Sequence, residues 1–179
     1  CMDSGGHFPN EVYKFCKPRW GRHIYAIKGK GGGEVPYYNR PTKNNPVKCP
    51  LFTLGVDTGK SILLDRLRVE LIGENGEHLE SAPGYCHFPR EKDRGYNLDY
   101  FVGLTSERQI MTYKKGKAVF EWKIKDYQHR RNEALDCRNY ATAALEIANP
   151  TLKKTDKLAT PGASVKKPAG RRRRSKGVI

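Results

Sequence analysis

The segment RRNEALDCRNYATAALEIA at residues 130–148 constrains the fold more than any other part of this chain. Asn132 stands where a helix N-cap is expected, apolar residues follow at helical spacing, and Pro150 ends the run. The stripe predicted to pack consists of Ala134, Cys137, Ala141, Ala144, Leu145 and Ala148, and the row beside it of Asp136, Tyr140, Ala143 and Ile147. Because alanine side chains are short, this segment predicts a largely buried helix that lies close against a sheet.

Asp136 is the residue of this helix that packing does not explain. A carboxylate beside an apolar stripe must be paired, bind a metal ion, or reach the rim of the packed layer, because burying an unpaired charge costs free energy. Alternatively, Asp136 lies in the first turns and interacts favourably with the positive end of the helix dipole. Both interpretations are open from this segment alone.

Positive charge is concentrated toward the C-terminus. The chain carries a formal net charge of +15, and residues 149–179 hold ten Lys or Arg against one acid, Asp156, which leaves +6 for the first 148 residues. This balance favours a polyanionic partner, most simply nucleic acid, and is also compatible with an anionic membrane surface. No apolar run approaches the length of a membrane span and no signal peptide is found, so we expect no membrane partner.

The length of 179 residues suffices for one domain with a core. Five cysteines, an odd number without a CxxC pair, favour free thiols in a reducing cytoplasm over disulfides or a zinc site. The chain begins with Cys1-Met2-Asp3, which has the pattern of a strand end, so we expect a fragment of a longer protein. We expect a globular part at 1–148 and a basic, disordered tail at 149–179.

Strand-like and helical segments alternate along the globular part. Strands are predicted to end at residue 3 and to span 22–27 and 51–56, and a β-hairpin with a basic turn is predicted at 109–113 and 118–124. Helices are predicted at about 10–17, stopped by Pro18, at about 60–71, capped by Asp57 or Thr58, and at 97–104. Residues 28–50 predict a long loop, and the overall order is typical of an α/β fold.

Two glycine-rich segments are only superficially similar to phosphate-binding loops. The segment GVDTGKS at 55–61 has three residues between its first Gly and the GKS, where a P-loop needs four, which shortens the cradle of backbone N–H groups. It is better interpreted as a strand, a turn and a capped helix, so we reject an ATP site. The segment GKGGG at 29–33 lacks the strand-to-helix context of a dinucleotide-binding loop and predicts a plain loop.

Asp3 stands where open α/β sheets place their ligands. It follows a predicted strand and precedes the small residues Ser4, Gly5 and Gly6. Its carboxylate could provide a hard oxygen ligand for Mg²⁺, or it could close the strand in an Asx-turn. Pairing with Asp136 across a sheet would favour the metal interpretation. No Ser/His/Asp or Cys/His nucleophile arrangement is supported by the sequence.

Five segments together resemble the lambda-type large subunit of tailed-phage terminases, in its C-terminal nuclease domain. They are MDSGG at 2–6, YAIKG at 25–29, GVDTGK at 55–60, HFP at 87–89 and RRNEALDC at 130–137, the last being the most specific. They follow the family's order from residue 1 to about residue 148. The resemblance implies an RNase H-like nuclease fold, here N-terminally truncated. It further implies a protein that cuts concatemeric double-stranded phage DNA and packages it with an ATPase domain that this sequence lacks.

The resemblance also implies a site. Asp3 matches the Asp of the family's W-D-[TS]-G-G-type motif and Asp136 that of its N-E-A-L-D-C helix, so both are expected to be catalytic and to bind Mg²⁺ or Mn²⁺. In such a two-metal site, paired ions activate the attacking water and stabilise the leaving oxygen. The family's first acid lies on an earlier strand that is missing here, so we expect lowered metal affinity and a fragment that carries the fold without full activity. His87 and Glu107 align with family positions without an assigned role, and Asp57 is expected to cap the helix after it.

The leading hypothesis is therefore an incomplete, metal-dependent endonuclease domain. Candidate phosphate contacts, which would position DNA without reading its sequence, are Lys28, Lys30, Lys114, Lys115, Lys117, Arg130 and Arg131. The resemblance implies the terminase small subunit and the procapsid portal as further partners, with the basic tail contacting portal or DNA, and the host cytoplasm as location. The rival hypothesis is a non-enzymatic basic nucleic-acid-binding module in which Asp3 and Asp136 only cap secondary structure.

Overall fold

A computed structural model of the chain describes residues 1–125 and 131–151. Cys1–Asn149 form one compact unit. Arg130 and the predicted tail beyond residue 151 therefore lie outside the described residues. Within the described ranges, no helix is long and apolar enough to cross a membrane.

Three parallel strands form the central sheet, in the spatial order β1-β2-β3. They are β1 (Met2–Asp3), β2 (Ala26–Lys30) and β3 (Leu51–Gly55). Asp3 pairs with Ile27, and Ile27 pairs with Phe52, so the carboxyl ends of the strands meet at one edge of the sheet. Together with an antiparallel hairpin and four α-helices in the described residues, this sheet confirms a mixed α/β fold.

The first helix ends where it was predicted to end, but a 3-10 helix that was not predicted follows it. α1 (Pro9–Cys16) ends before Pro18, and the 3-10 helix spans Lys17–Arg22. The predicted strand at 22–27 is therefore wrong at its start, and β2 begins only at Ala26. Pro18 lies in the first turn of the 3-10 segment, where a missing N–H is tolerated.

The start of the second helix also differs from the prediction. α2 (Val56–Leu67) follows β3 without a loop, and Gly55 rather than Asp57 or Thr58 occupies its N-cap position. The Asp57 carboxylate instead accepts a hydrogen bond from the Gly32 N–H at 2.7 Å, and the Thr58 hydroxyl donates to the Val35 carbonyl at 2.7 Å. The predicted cap is therefore wrong, because both side chains fasten the preceding loop to α2.

The third helix and the hairpin agree with the prediction. α3 (Leu98–Leu104) is capped by Asn97, whose side-chain oxygen accepts from the Tyr100 N–H at 3.0 Å. The hairpin consists of β4 (Glu107–Lys114) and β5 (Lys117–Ile124). Lys115 and Gly116 form its turn with positive φ angles of 50° and 74°, the backbone conformation that tight hairpin turns require.

The fourth helix, α4 (Glu133–Ala148), buries a different row from the predicted alanine stripe. Its buried residues are Leu135, Asn139 and Ala143, while Cys137, Ala141 and Leu145 of the predicted stripe are exposed. Leu135 joins a cluster with Leu63 and Leu104, and Ala143 packs on the sheet. The predicted stripe is wrong because Leu135 and Ala143 contact the neighbouring elements, so the row through Leu135, Asn139 and Ala143 faces the core.

The sheet is covered on both faces, as parallel sheets usually are. On one face, Ala143 of α4 packs in a cluster with Tyr25, Ile27, Phe52 and Leu54. On the other face, Ala26 and Cys49 pack against Tyr13 and Cys16 of α1. All five cysteines lie in the described residues and all are free, as the sequence predicts.

Candidate active site

The candidate site lies at the carboxyl edge of the parallel sheet, where α/β folds bind ligands. Asp3 is the last residue of β1, and Asp136 lies in the first turn of α4. Burial raises the pKa of Asp136 and the charge of Asp3 adds to this shift, and burial likewise raises the pKa of Tyr140, with both carboxylates adding to it. The fold thus places the two predicted carboxylates close enough for their charges to interact.

Asp3 is held in a defined orientation at the end of its strand. The Gly5 N–H donates to Asp3 Oδ1 at 2.8 Å, so the Asx-turn considered from the sequence is present. The buried Ser4 hydroxyl donates to the Ile27 carbonyl at 2.8 Å and fixes the strand end on β2. A carboxylate has about four acceptor positions, so this turn leaves Asp3 able to accept further ligands.

Tyr140 connects α4 to Asp3. Burial raises the pKa of Tyr140 far above its ordinary value, and the charges of Asp3 and Asp136 and a hydrogen bond with Asp3 raise it further. The hydroxyl therefore stays protonated and donates to the Asp3 carboxylate. Tyr140 follows Asp136 by one helical turn, so a single face of α4 carries both residues toward the strand end.

Asp136 is half-buried, with 32% of its side chain exposed. Burial raises its pKa above the ordinary value, Lys60 opposes this shift, and the negative charges of Glu107, Asp3 and Glu133 add to it. An ionised Asp136 is therefore surrounded by more negative than positive charge. A further cation near its carboxylate would lower the free energy of the ionised form.

A buried ion pair adjoins Asp136. The Lys60 ammonium lies 2.7 Å from Glu107 Oε2 and 3.9 Å from Asp136 Oδ1, and the side chains of Lys60 and Glu107 are only 10% and 7% exposed. The second oxygen of Glu107 accepts a hydrogen bond from Asn132 Nδ2 at 2.7 Å. Asn132 thus stands at the N-cap position of α4 but uses its side chain on Glu107, not on the helix.

The sequence does not predict this network. Lys60 stands in the rejected P-loop and in the segment GVDTGK at 55–60, and Glu107 aligns with a family position without an assigned role. Their separation of 47 residues along the chain leaves no local signal for the pair. A lysine in the second turn of a helix that directly follows a buried strand is the one feature that could have drawn attention to it.

A cleft of about 640 Å³ opens beside the ion pair. Its wall is formed by the loop after β2, the first turns of α2 and the hairpin, including Gly32, Asp57, Lys60, Glu107 and Trp122. Because acidic and basic groups share this wall, the cleft suits a polar ligand that carries charge of both signs or arrives with its own cations.

The predicted phosphate contacts are distributed over three exposed places. Lys28 and Lys30 lie on β2, Lys115 lies in the hairpin turn with Lys117 directly after it, and Arg131 precedes α4. Lys114 lines the cleft but forms an ion pair with Glu121, and Arg130 lies outside the described residues. His87 is exposed and packs edge-to-face on Tyr85, with ring centroids 4.9 Å apart.

The donor chemistry fits a divalent metal ion in part. Among residues 1–125 and 131–151, no group of three or more His, Cys, Asp or Glu side chains is arranged to hold a metal. Asp3 and Asp136 nevertheless offer hard carboxylate oxygens, and the raised pKa of Asp136 marks a place where added positive charge is favourable. These two residues can therefore contribute to a metal site but do not complete one by themselves.

Comparison with known proteins identifies the family. Residues 1–157 match the family described as "Terminase large subunit gpA, endonuclease domain". The large terminase subunit of Escherichia phage lambda is 34% identical over 148 residues, and that of Enterobacteria phage P21 is 30% identical over 149; each alignment covers 83% of this chain. The chain spans 22% of the length of these relatives, and no solved structure matches it. The chain belongs to the endonuclease domain family of terminase large subunits.

Proposed function

We propose that this chain forms the cutting part of a terminase large subunit, a metal-dependent endonuclease that hydrolyses phosphodiester bonds in concatemeric double-stranded DNA during packaging. The observation that carries this proposal is the placement of Asp3 at the end of β1, on the carboxyl edge of the sheet, together with Asp136 in the first turn of α4. Membership in a family described by its endonuclease domain supports the same reaction.

Asp3 and Asp136 would hold Mg²⁺ or Mn²⁺. In a two-metal site, the bound ions lower the pKa of the attacking water and stabilise the leaving oxygen. The family resemblance adds a third carboxylate from a strand before β1, which would join Asp3 and Asp136 in one cluster. An RNase H-like arrangement is part of this proposal, and the three parallel strands with α4 packed across them are compatible with it.

The residues of this chain would orient the carboxylates. Tyr140 donates to Asp3 and so fixes the direction of that carboxylate relative to α4. The Asx-turn at Gly5 holds the same carboxylate from the strand side, with the N–H 2.8 Å from Oδ1. Two hydrogen bonds from different elements restrict the rotation of Asp3, and such second contacts around a metal ligand raise metal affinity.

DNA would be held through its phosphates. Lys28, Lys30, Lys115, Lys117 and Arg131 are exposed, and their charges would bind the backbone without reading sequence. Lys114 would contribute less, because Glu121 already pairs with it. Arg130 and the basic tail keep their predicted roles in DNA or portal binding. We also propose the terminase small subunit as a partner and the host cytoplasm as the location.

The second candidate is a non-enzymatic basic nucleic-acid-binding module. The Asx-turn at Asp3 favours it, because this contact gives Asp3 a purely structural use. The raised pKa of Asp136 disfavours it, because a carboxylate that only stabilises a helix terminus would be expected to have a lowered pKa.

A DNA cleavage assay distinguishes the two candidates. Supercoiled plasmid would be incubated with Mg²⁺ or Mn²⁺ and the chain, used both as it stands and preceded by a strand that carries the family's first acid. We expect metal-dependent cleavage by the extended chain that Asp136→Ala abolishes, while Lys14→Ala, on the exposed face of α1, leaves it unchanged. DNA binding without cleavage in both forms, or cleavage that survives Asp136→Ala, would contradict the nuclease proposal.

A further inference from the structure

The Lys60 ammonium occupies a position that the proposed reaction does not yet explain. Lys60 is nine-tenths buried, and its nitrogen lies between two carboxylates, 2.7 Å from Glu107 Oε2 and 3.9 Å from Asp136 Oδ1. These three residues come from three elements, since Lys60 lies on α2, Glu107 begins β4 and Asp136 lies on α4. The space between the two acids is a cation site, and the ammonium of the chain's own Lys60 occupies it.

Both oxygens of Glu107 already accept a hydrogen bond in this arrangement. One accepts from Lys60 and the other accepts from Asn132 Nδ2, both at 2.7 Å. A divalent ion between Glu107 and Asp136 would have to approach within about 2.0–2.6 Å of an oxygen, where the Lys60 ammonium would repel it unless the ammonium were displaced. Displacing the ammonium would leave Lys60 buried without its partner, at a considerable cost in free energy.

We propose that the Lys60 ammonium is a fixed cation of the candidate site, which fills the gap between Glu107 and Asp136 and keeps a divalent metal ion out of it. Lys60 is then a positioning residue, and Glu107 anchors Lys60 and is not a metal ligand. A metal ion held by Asp136 binds on the side of that carboxylate that faces Asp3. This inference rests on the proposed function, since it concerns where the metal of that reaction binds.

The charges around Lys60 predict how its removal changes the affinity for a divalent ion. Lys60→Met removes a positive charge beside Asp136 and leaves two neighbouring carboxylates with no cation between them, so a divalent ion should enter the gap. Attraction by the freed Glu107 charge should raise the affinity for Mn²⁺ by about tenfold or more, since even about 1.4 kcal/mol at this distance suffices. In the double variant Lys60→Met/Glu107→Gln, opposite charges disappear together and the Gln oxygen can still accept from Asn132. Its affinity should stay close to that of the wild type.

The test is a titration of the 179-residue chain with Mn²⁺, followed by the electron paramagnetic resonance signal of the free ion. It compares the wild type, Lys60→Met, Lys60→Met/Glu107→Gln and, as a matched charge control, Lys14→Met, which breaks the exposed Lys14–Glu11 pair. Circular dichroism and thermal melting verify that each variant is folded. We expect tighter binding only in Lys60→Met, which would also show that Glu107 becomes a ligand once Lys60 is gone.

Three results would overturn the assignment. Equal affinity of folded Lys60→Met and wild type would show that the ammonium excludes nothing. If the double variant lost about tenfold or more in Mn²⁺ affinity, Glu107 would already bind the metal in the wild type. The comparison of the double variant with the wild type remains decisive even where Lys60→Met alone does not fold. If neither the wild type nor Lys60→Met bound Mn²⁺, both the proposed metal site and this inference would be wrong. If the wild type bound Mn²⁺ but either of the first two results were found, only this inference would be wrong, and the proposed function would stand.

Discussion

Gly59 of α2 lies directly against the side-chain amide of Asn139 of α4. A Cβ atom at Gly59 would come within 2.0 Å of Asn139 Oδ1 and within 2.4 Å of the Tyr37 ring. The amide nitrogen of Asn139 donates to the Val56 carbonyl at 3.2 Å, so this contact joins the start of α2 to the middle of α4. The absence of a side chain at Gly59 thus allows α2 and α4 to pack closely at this point.

Gly59→Ala should destabilise the protein. Alanine favours a helix over glycine by about 1 kcal/mol, but the overlap with Asn139 forces α2 and α4 apart, and overpacking of this kind costs about 1–3 kcal/mol and occasionally more. Because the overlap is severe, we expect the upper end of that cost and hence a net loss of about 2 kcal/mol in the free energy of unfolding, measured by urea denaturation. The control is Gly33→Ala, where a Cβ meets no atom within 4 Å. A Gly59→Ala protein as stable as the control would show that the helices do not pack this closely.

Tyr140→Phe should weaken metal binding without unfolding the protein. The substitution removes the hydroxyl that donates to Asp3 and keeps the ring that packs on the sheet. Loss of a hydrogen bond that orients a metal ligand typically costs about 10–100-fold in metal affinity or activity. The measurement is Mn²⁺ affinity, with Tyr113→Phe on the exposed hairpin as the control. Unchanged affinity in Tyr140→Phe would mean that Asp3 needs no orientation from α4, or binds no metal.

Stability should fall at high pH because of Tyr37. Burial raises the pKa of Tyr37 to about 12, while the unfolded chain titrates near its ordinary value of 10.0. Between these values the folded state binds more protons than the unfolded state, so the free energy of unfolding decreases as pH rises from 10.0 to about 12. Tyr37→Phe should reduce this decrease, measured by urea denaturation at about pH 9 as the reference and at about pH 10, 11 and 12 across that window. Identical pH dependence in both proteins would contradict the assigned burial.

Lys115→Ala/Lys117→Ala should weaken DNA binding uniformly across sequences. Both lysines are exposed at the hairpin turn, and each phosphate contact contributes about 0.9 to the slope of log affinity against log salt concentration. The double substitution should therefore reduce that slope by about 2, measured by fluorescence anisotropy with duplex DNA. Lys14→Ala serves as the control. The same slope in wild type and double variant would remove the hairpin from the DNA interface.

Local signals predicted part of this fold correctly. The helix predicted at 97–104 is α3, which begins at Leu98 after its cap Asn97, and the hairpin follows from two β-prone runs around a Lys-Gly turn. These features are encoded within a few residues, so the sequence suffices. Asp3 at the end of β1 and Asp136 in the first turn of α4 were also located correctly, because strand ends and helix starts have recognisable patterns.

Contacts between distant residues could not be predicted in the same way. Asp57 was expected to cap α2, but a loop 25 residues earlier in the chain uses its carboxylate. Periodicity alone offered several packing faces for α4, and the choice depends on Gly59, whose missing side chain admits Asn139. The Lys60–Glu107 pair joins residues 47 positions apart, so only the folded chain reveals it.

The central claim is that Asp3 and Asp136 act as one metal site, and Mn²⁺ affinity in a double-mutant cycle tests it most directly. The cycle compares the wild type with Asp3→Asn, Asp136→Asn and the combined variant, each verified to be folded. We predict that each single substitution weakens binding by about tenfold or more and that the combined variant loses little beyond that, because both residues hold the same ion. Mn²⁺ affinity that neither substitution changes, or losses that simply add, would contradict a shared site.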